Sequence, residues 1–222
     1  MHFTFFDGII LGSFIVSLSV FLKRPVPNYL KLFPLYFFSA FVVGSRVEWL
    51  SYHNMYSTGI SNVWGIIEFC YFFYIIHETI VNKKIRSVIV YIILIYSFLA
   101  FFNLFFIQKK VGFNAVNFTV GCLIIVSLCI YYFFELFQKT EVQSLSKLPS
   151  FWIVSGLLFN NVLSFPQFAL DNFMETLTRA NYNKYHILFD NLEVITNITI
   201  VLTSALYSIG FLCRIRIRKS TL

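Results

Sequence analysis

Apolar segments of about 20 residues recur along the whole chain, and they constrain its fold more than any other feature. A helix needs about that many predominantly apolar residues to cross the hydrocarbon core of a bilayer. Of the 222 residues, 58% are hydrophobic and 12% are charged, whereas about a quarter are charged in an average soluble protein. The polar segments between the apolar runs are too short to bury a core of their own. The sequence therefore predicts an all-α, polytopic membrane protein with a single transmembrane domain over residues 1–222.

Seven segments have the length and the apolar character of membrane-spanning helices. The predicted spans are 4–22, 32–50, 62–81, 87–107, 114–137, 151–170 and 187–213. The first span has neither the basic start nor the small-residue cleavage site of a signal peptide, so we interpret it as a retained helix. Polar connections join the spans, and the longest of them, residues 171–186, precedes the last span. The expected fold is a bundle of seven transmembrane helices.

Basic residues are unevenly divided between the two sets of helix ends, and this division predicts the orientation. Four lie at one set of ends, namely Lys109, Lys110, Arg179 and Lys184. Twelve lie at the other set, namely Lys23, Arg24, Lys31, Lys83, Lys84, Arg86, Lys139, Lys147, Arg214, Arg216, Arg218 and Lys219. Short loops rich in Lys and Arg stay cytoplasmic, so we expect the N-terminus outside and the C-terminus in the cytoplasm. The expected location is a bacterial inner membrane, as a multi-pass protein.

Individual residue types suggest few specific chemistries. The net charge of +7 comes largely from the ends of the spans, so no nucleic acid partner is predicted. Cys70, Cys122, Cys129 and Cys213 lie in or beside apolar runs, which is typical of core residues rather than of a disulfide framework. The sequence has no Gly-rich phosphate loop, GxSxG or HExxH motif, and its last span has no lysine for a retinal Schiff base. No cofactor, metal site or catalytic residue is predicted.

Glu68 is the first functional candidate, because it is a carboxylate well inside the apolar run from Asn62 to Ile80. An ionisable side chain at membrane depth is energetically costly, and it usually faces the interior of a bundle or a wet cavity. With a helix rise of about 1.5 Å per residue, Glu68 and Glu193 both lie roughly 10 Å below the predicted outer surface. These two acids are therefore expected to contribute to a common site.

Other polar residues accompany the two acids in the outer half of the predicted membrane region. The candidate ligand-binding set is Glu68, Glu193, Arg46, Glu48, Asn160, Asn161, Asp190 and Asn197. Burying several unpaired carboxylates in hydrocarbon would be too costly, so we expect an outward-facing polar pocket between the second, third, sixth and seventh spans. Arg46 is the expected counter-ion of Glu68 or Glu193. The alternatives are that the whole set forms hydrogen bonds between helices and that Arg46 lies at the membrane interface.

Two segments of the chain resemble a known family. They are residues 62–68, NVWGIIE, followed by aromatic residues, and residues 148–156, LPSFWIVSG. With these segments the chain resembles, over essentially its whole length, a widespread family of uncharacterised bacterial seven-helix membrane proteins. The matching positions are Glu68, Glu48, Pro149, Phe151, Trp152 and Gly156. The resemblance implies the membrane part of a signalling system, with a cytoplasmic or membrane partner.

Together these features favour an integral membrane sensor or receptor-type module. In this hypothesis the polar pocket binds a small ligand or a proton, lipid surrounds the helices, and the basic cytoplasmic ends contact a signalling partner. One alternative is a small-solute transporter with 3+1+3 helix repeats, which shares the helix count and orientation. Another is a lipid-modifying membrane enzyme that uses the same acids. The lack of a familiar catalytic motif favours a role without catalysis.

Overall fold

All regular secondary structure is helical in the part of the chain that the structure describes. The structure, a computed structural model, describes residues 5–22, 25–107, 113–138, 145–175 and 179–216, and it describes the backbone alone at 5–6, 171–175, 179–190, 193 and 215–216. The α-helices are α1 (Phe5–Leu18), α2 (Asn28–Lys31), α3 (Phe33–Tyr52), α4 (Thr58–Thr79), α5 (Lys83–Phe102), α6 (Ala115–Phe137), α7 (Pro149–Glu175) and α8 (Arg179–Arg216). A 3₁₀ segment, Ser19–Leu22, continues α1, and a π-helical segment, Asn103–Ile107, continues α5. A 3₁₀ turn, Leu145–Lys147, precedes α7.

Several helices are suited to cross a membrane. Among the described residues, six segments have the required length and hydropathy, namely Asn28–Tyr52, Thr58–Thr79, Lys83–Ile107, Ala115–Phe137, Pro149–Leu170 and Val194–Arg214. A seventh apolar helix, Asp7–Leu22, is shorter. Large apolar side chains cover the outside of the bundle, and on α5 the residues Tyr91, Leu94 and Phe98 are 65%, 62% and 69% exposed. Such a face suits lipid rather than water, so the prediction of an all-helical protein with membrane-compatible helices is confirmed.

The last two helices are longer than the predicted spans. Helix α7 continues to Glu175 and α8 begins at Arg179, so most of the stretch 171–186 is helical rather than a polar connection. Helix α8 has 38 residues and is about 57 Å long, whereas the hydrocarbon core of a bilayer is about 30 Å thick. Helical hydrogen bonds do not require apolar side chains, so a helix can continue past the apolar segment that identifies it as a span.

Helix α4 is the central helix of the bundle, since it packs against α2, α3, α5, α6 and α7. Around it, α1 packs against α3 and α8, and α7 packs against α6 and α8. Two glycines allow α4 and α6 to approach each other closely. A Cβ on Gly121 would lie 2.7 Å from the Phe69 ring, and a Cβ on Gly65 would collide with the Phe118 ring. Small residues at such contacts are typical of packed membrane helices.

The helices run in alternating directions between two ends of the bundle. We call them the His53 end, which contains the α3–α4 connection, and the Asn82 end, which contains the α4–α5 connection. At the Asn82 end, the Glu135 carboxylate of α6 accepts hydrogen bonds of 2.9 and 2.8 Å from the backbone N–H groups of Val81 and Asn82. At the same end, Arg214 of α8 donates hydrogen bonds to two backbone carbonyl groups in the segment that leads from α1 to α2. These bonds join α6 to the α4–α5 connection, and α8 to the segment between α1 and α2.

Candidate functional site

Glu68 lies in the middle of α4. It is ten residues after Thr58 and eleven residues before Thr79, which places its Cα about 15 Å along the axis from either end of the helix. This is deeper than the roughly 10 Å expected from the sequence, because α4 begins four residues before the predicted span. Trp64 and Tyr71 lie one turn before and one turn after Glu68, so the three side chains form one stripe along α4.

Tyr36 of α3 binds the Glu68 carboxylate. Its hydroxyl donates a hydrogen bond of 2.5 Å to Glu68 Oε1. The Tyr36 ring also lies nearly parallel to the rings of Tyr71 and Trp64, with centroid distances of 4.8 and 6.2 Å and interplanar angles of 17° and 15°. Aromatic pairs of this kind contribute roughly 0.5–1.5 kcal/mol beyond the area they bury. The hydrogen bond and the two ring contacts therefore fix the register of α3 against α4.

A third tyrosine, Tyr207 of α8, lies near Glu68 and Tyr36. Tyr207 is 2% exposed and lies close enough to Glu68 and Tyr36 to interact electrostatically with both. The rings of Tyr36, Tyr71 and Tyr207 all contact the Phe33 ring, at centroid distances of 6.4, 5.6 and 5.3 Å. We call Glu68, Tyr36, Tyr71 and Tyr207 the Glu68 cluster. It combines residues of α3, α4 and α8 in the interior of the bundle.

Three buried hydroxyl groups in or next to the cluster have no hydrogen-bond partner within the described residues. They belong to Tyr71, Tyr207 and Thr203. Thr203 is 7% exposed and precedes Tyr207 by one turn on the buried face of α8. Most buried polar atoms in proteins are hydrogen-bonded, and leaving one unpaired costs about 1–3 kcal/mol. Packing alone does not require such unpaired hydroxyl groups in and next to a cluster that contains a carboxylate.

Gly156 of α7 makes room for Tyr207. A Cβ at Gly156 would lie 2.6 Å from Cε1 of Tyr207, which is closer than side-chain atoms approach one another. The absence of a side chain therefore lets α7 pack closely against α8 while Tyr207 keeps its place. Gly156 is also one of the positions on which the family resemblance rests.

The Glu68 carboxylate has no basic side chain at ion-pair distance among the described residues. The ion pairs found there involve Glu78 near the Asn82 end, whose Oε1 is 2.9 Å from Arg86 Nη2 and 3.1 Å from His77 Nδ1. A carboxylate in the middle of a bundle needs a proton or a bound cation to balance its charge. It also has about four lone-pair sites, so it can accept more than the one hydrogen bond from Tyr36. The cluster can therefore hold a proton, a cationic group or a further hydrogen-bond donor.

Arg46, the expected counter-ion, lies elsewhere. Its guanidinium carbon is 4.5 Å from the centroid of the Trp49 ring, and the residue is exposed. Arg46 follows Tyr36 by ten residues on α3, so it lies about 15 Å nearer to the His53 end. Glu48 is half-buried on the same part of α3. The alternative of an interfacial position agrees with the environment of Arg46.

The expected amides lie on α7 and α8. Asn161 is buried, and its Nδ2 donates a hydrogen bond of 2.8 Å to the carbonyl oxygen of Leu157 in its own helix. Asn160 and Asn197 are half-buried. The described contacts of these residues do not include Glu68.

Two of the expected acids, Asp190 and Glu193, have side chains outside the described part of the protein. Their backbones belong to α8. Glu193 precedes Tyr207 by fourteen residues, so its Cα lies about 21 Å from that of Tyr207 along the helix. Since Tyr207 is the α8 residue of the Glu68 cluster, the backbone of Glu193 lies nearer to the His53 end than the cluster does. The expected common site of Glu68 and Glu193 stays a prediction.

A second polar cluster, which was not expected from the sequence, joins α4, α5 and α6. Asn62 Oδ1 accepts a hydrogen bond of 2.9 Å from the backbone N–H of Asn114, and both residues are fully buried. Asn103 Nδ2, in the π-helical segment, donates to the side-chain oxygens of Asn114 and Asn117 at 3.0 and 3.2 Å. The only sequence signal is that these asparagines lie near the ends of apolar runs. Because each bond joins different helices or segments, we interpret this cluster as structural.

Comparisons with known proteins do not extend this description. No family model, curated protein or solved structure matches the chain. Within the described residues, no group of three or more His, Cys, Asp and Glu side chains is arranged to hold a metal ion. The family resemblance and the function expected from the sequence therefore stay predictions.

Proposed function

We propose that the protein is an integral membrane sensor or receptor-type module in which the Glu68 cluster binds a small ligand or a proton. The observation that supports this most is a mid-helix carboxylate, bonded to one tyrosine hydroxyl, in a cluster with the buried hydroxyl groups of Tyr71 and Tyr207, which have no hydrogen-bond partner within the described residues. A purely structural bundle would be at least as stable with well-packed apolar side chains at these positions. Polar groups that cost stability and lie together are typical of functional sites.

The position of the cluster suggests how binding would act on the bundle. A ligand or proton at Glu68 competes with the hydrogen bond from Tyr36, which links α3 to α4. Helices α4 and α8 both lead from the cluster to the Asn82 end, where they carry Glu78 and Arg214. A shift of α4 relative to α3 and α8 would therefore change the surface at that end.

In this proposal the chain crosses the membrane seven times, with α1 as a short first crossing. The Asn82 end is cytoplasmic, because most of the basic residues belong to that end. The N-terminus is outside, the C-terminus is inside, and a signalling partner contacts the cytoplasmic surface. The membrane is the inner membrane of a bacterium.

Trp64 offers a direct test, because its ring lies against Tyr36. The chain has three tryptophans, so the changes Trp49→Phe and Trp152→Phe leave Trp64 as the only one. With this protein in lipid nanodiscs, we expect Trp64 emission to change with pH or with a bound ligand, and Glu68→Gln to abolish that change. Tyr91→Phe, on the exposed face of α5, is the matched control and leaves the change intact. A response that persists in Glu68→Gln contradicts the proposal.

The two alternative functions give different results with reconstituted protein. A sensor binds its ligand without moving it across the bilayer, whereas a transporter produces solute flux that Glu68→Gln abolishes. A lipid-modifying enzyme converts lipids of the vesicle, which lipid analysis of the same preparation detects. Either flux or lipid conversion that depends on Glu68 contradicts the sensor proposal.

A further inference from the structure

A groove of about 320 Å³ lies between α3 and α4, on the His53 side of Glu68. Its lining is apolar and consists of Val43, Gly59, Ile60, Val63, Trp64 and Ile67. Ile60 and Ile67 are 39% and 50% exposed, so the groove opens on the outer surface of the bundle. This surface belongs to the candidate span Thr58–Thr79, so lipid faces it when the protein is in a membrane. The volume is at the lower end of the range of about 300–1,000 Å³ that is usual for ligand pockets.

Trp64 connects the groove to the Glu68 cluster. It lines the groove, and its ring also stacks on Tyr36, which donates the hydrogen bond to Glu68. Glu68 follows Trp64 by one helical turn and comes directly after Ile67, another residue of the lining. Glu68 is only half-buried. Along the α4 axis, the lining residue Ile67 is therefore about 1.5 Å and Trp64 about 6 Å from the level of Glu68.

We infer that the groove and Glu68 form one site for a lipophilic amine, with the hydrocarbon chain in the groove and the ammonium group at the carboxylate. This inference rests on the proposed function of the Glu68 cluster. Charge complementarity determines the head group, because no basic side chain pairs with Glu68 in the described part of the protein and an ammonium group supplies the missing charge. The rings of Tyr36, Tyr71 and Trp64 next to the carboxylate also attract a cation through their π faces.

The groove also provides a route of entry. An amine with a hydrocarbon chain partitions into the bilayer and reaches the opening beside Ile60 and Ile67 by lateral diffusion. Such a ligand needs no water-filled path from outside to the middle of α4. In this inference the lipid-facing groove gives access to Glu68, whereas the sequence favours access through an outward-facing polar pocket.

Dodecylammonium is a suitable probe, and the variant with Trp64 as its only tryptophan provides the readout in nanodiscs. We expect a saturable change of Trp64 emission. In Glu68→Gln we expect an affinity that is at least about tenfold weaker, as for loss of a charged hydrogen bond. Dodecanoate, which has the same chain and the opposite charge, is expected to give no saturable change. Methylammonium, which has the charge without the chain, is expected to bind at least about tenfold more weakly than dodecylammonium.

Two variants test the groove itself without changing Glu68. Val63→Phe and Ile60→Phe each place a larger side chain in the groove, and we expect each to weaken dodecylammonium binding by about tenfold. Val120→Phe is the control, since Val120 is 45% exposed on α6 and lies outside the groove. Thermal unfolding reports whether each variant is folded, and the methylammonium comparison tests the groove on the native side chains.

The possible results separate this inference from the proposed function. Unchanged dodecylammonium binding in the folded groove variants, or equal affinity for methylammonium, overturns the groove but leaves a Glu68 site. Tighter binding of dodecanoate than of dodecylammonium contradicts the inference that the ligand has a cationic head group. A response to every probe that Glu68→Gln leaves unchanged overturns the inference and the proposed function together.

Discussion

The hydroxyl of Tyr36 lies 2.5 Å from Oε1 of Glu68 and joins α3 to α4 in the middle of the bundle. Tyr36→Phe removes this hydroxyl and keeps the ring that stacks on Trp64. Hydrogen bonds to charged groups contribute about 1.5–3 kcal/mol, so we expect the variant to lower the free energy of unfolding by about 1–3 kcal/mol. Unfolding in mixed micelles measures this value. Tyr91→Phe, 65% exposed on α5, is expected to change it by less than about 0.5 kcal/mol.

A double-mutant cycle with Glu68→Gln tests whether the two residues act together. Since both changes affect one hydrogen bond, we expect a coupling free energy of about 0.5–3 kcal/mol between them. Tyr91→Phe is expected to show no coupling with Glu68→Gln. Additive effects of Tyr36→Phe and Glu68→Gln would show that this hydrogen bond does not form in the protein in mixed micelles.

The glycine beside Tyr207 gives a second prediction. Gly156→Ala places a methyl group 2.6 Å from the Tyr207 ring, so Tyr207 or α7 must move. We expect the free energy of unfolding to fall by about 1–3 kcal/mol. Gly44→Ala is the matched control, because a Cβ at Gly44 would have nothing within 4 Å, and its higher helix propensity adds up to about 1 kcal/mol. Equal effects of the two substitutions would contradict the close packing of α7 on α8.

A third prediction concerns the asparagine cluster. Asn62→Ala removes the side-chain oxygen that accepts from the backbone N–H of Asn114 and leaves that buried group unpaired. We expect the free energy of unfolding to fall by about 1–3 kcal/mol, with faster hydrogen exchange at Asn114. Asn191→Ala, at an exposed position of α8, is expected to have little effect. Unaltered exchange at Asn114 in Asn62→Ala would argue against a structural role.

A fourth prediction distinguishes the observed position of Arg46 from the expected one. Because Arg46 lies about 15 Å along α3 from Tyr36, we expect Arg46→Ala to leave the Trp64 response to pH and ligands unchanged. The measurement is the emission titration in nanodiscs. If Arg46→Ala abolished the response as Glu68→Gln does, Arg46 would be the counter-ion of Glu68 after all.

The sequence predicted the candidate acid but not its partners, for a physical reason. Glu68 is recognisable because it is a carboxylate well inside a long apolar run. The chain has 13 tyrosines and is 20% aromatic. Neither residue type nor spacing along the sequence therefore distinguishes Tyr36, Tyr71 and Tyr207 from the other tyrosines. Which tyrosines lie next to Glu68 depends on how α3, α4 and α8 pack, and spacing along one helix does not reveal this packing.

The sequence also did not predict the environment of Arg46 or the residue at which the last helix begins, and both depend on structure that composition does not reveal. Arg46 and Glu68 are complementary in charge, yet their levels in the bundle depend on the register of α3 against α4, which the Tyr36 contacts set. The polar residues 179–186 indicate a connection by composition, but the backbone bonds of α8 continue through them. The helical segments themselves follow from the apolar runs, and this part of the fold was predictable.

Infrared difference spectroscopy of the Glu68 carboxyl group tests the central claim most directly. The spectra compare the protein in nanodiscs before and after addition of dodecylammonium, and at two pH values. The account predicts a change in a carboxyl or carboxylate band that is present in the native protein and absent in Glu68→Gln. A native difference spectrum without such a band, or the same band in Glu68→Gln, would contradict the claim that Glu68 is the responsive group.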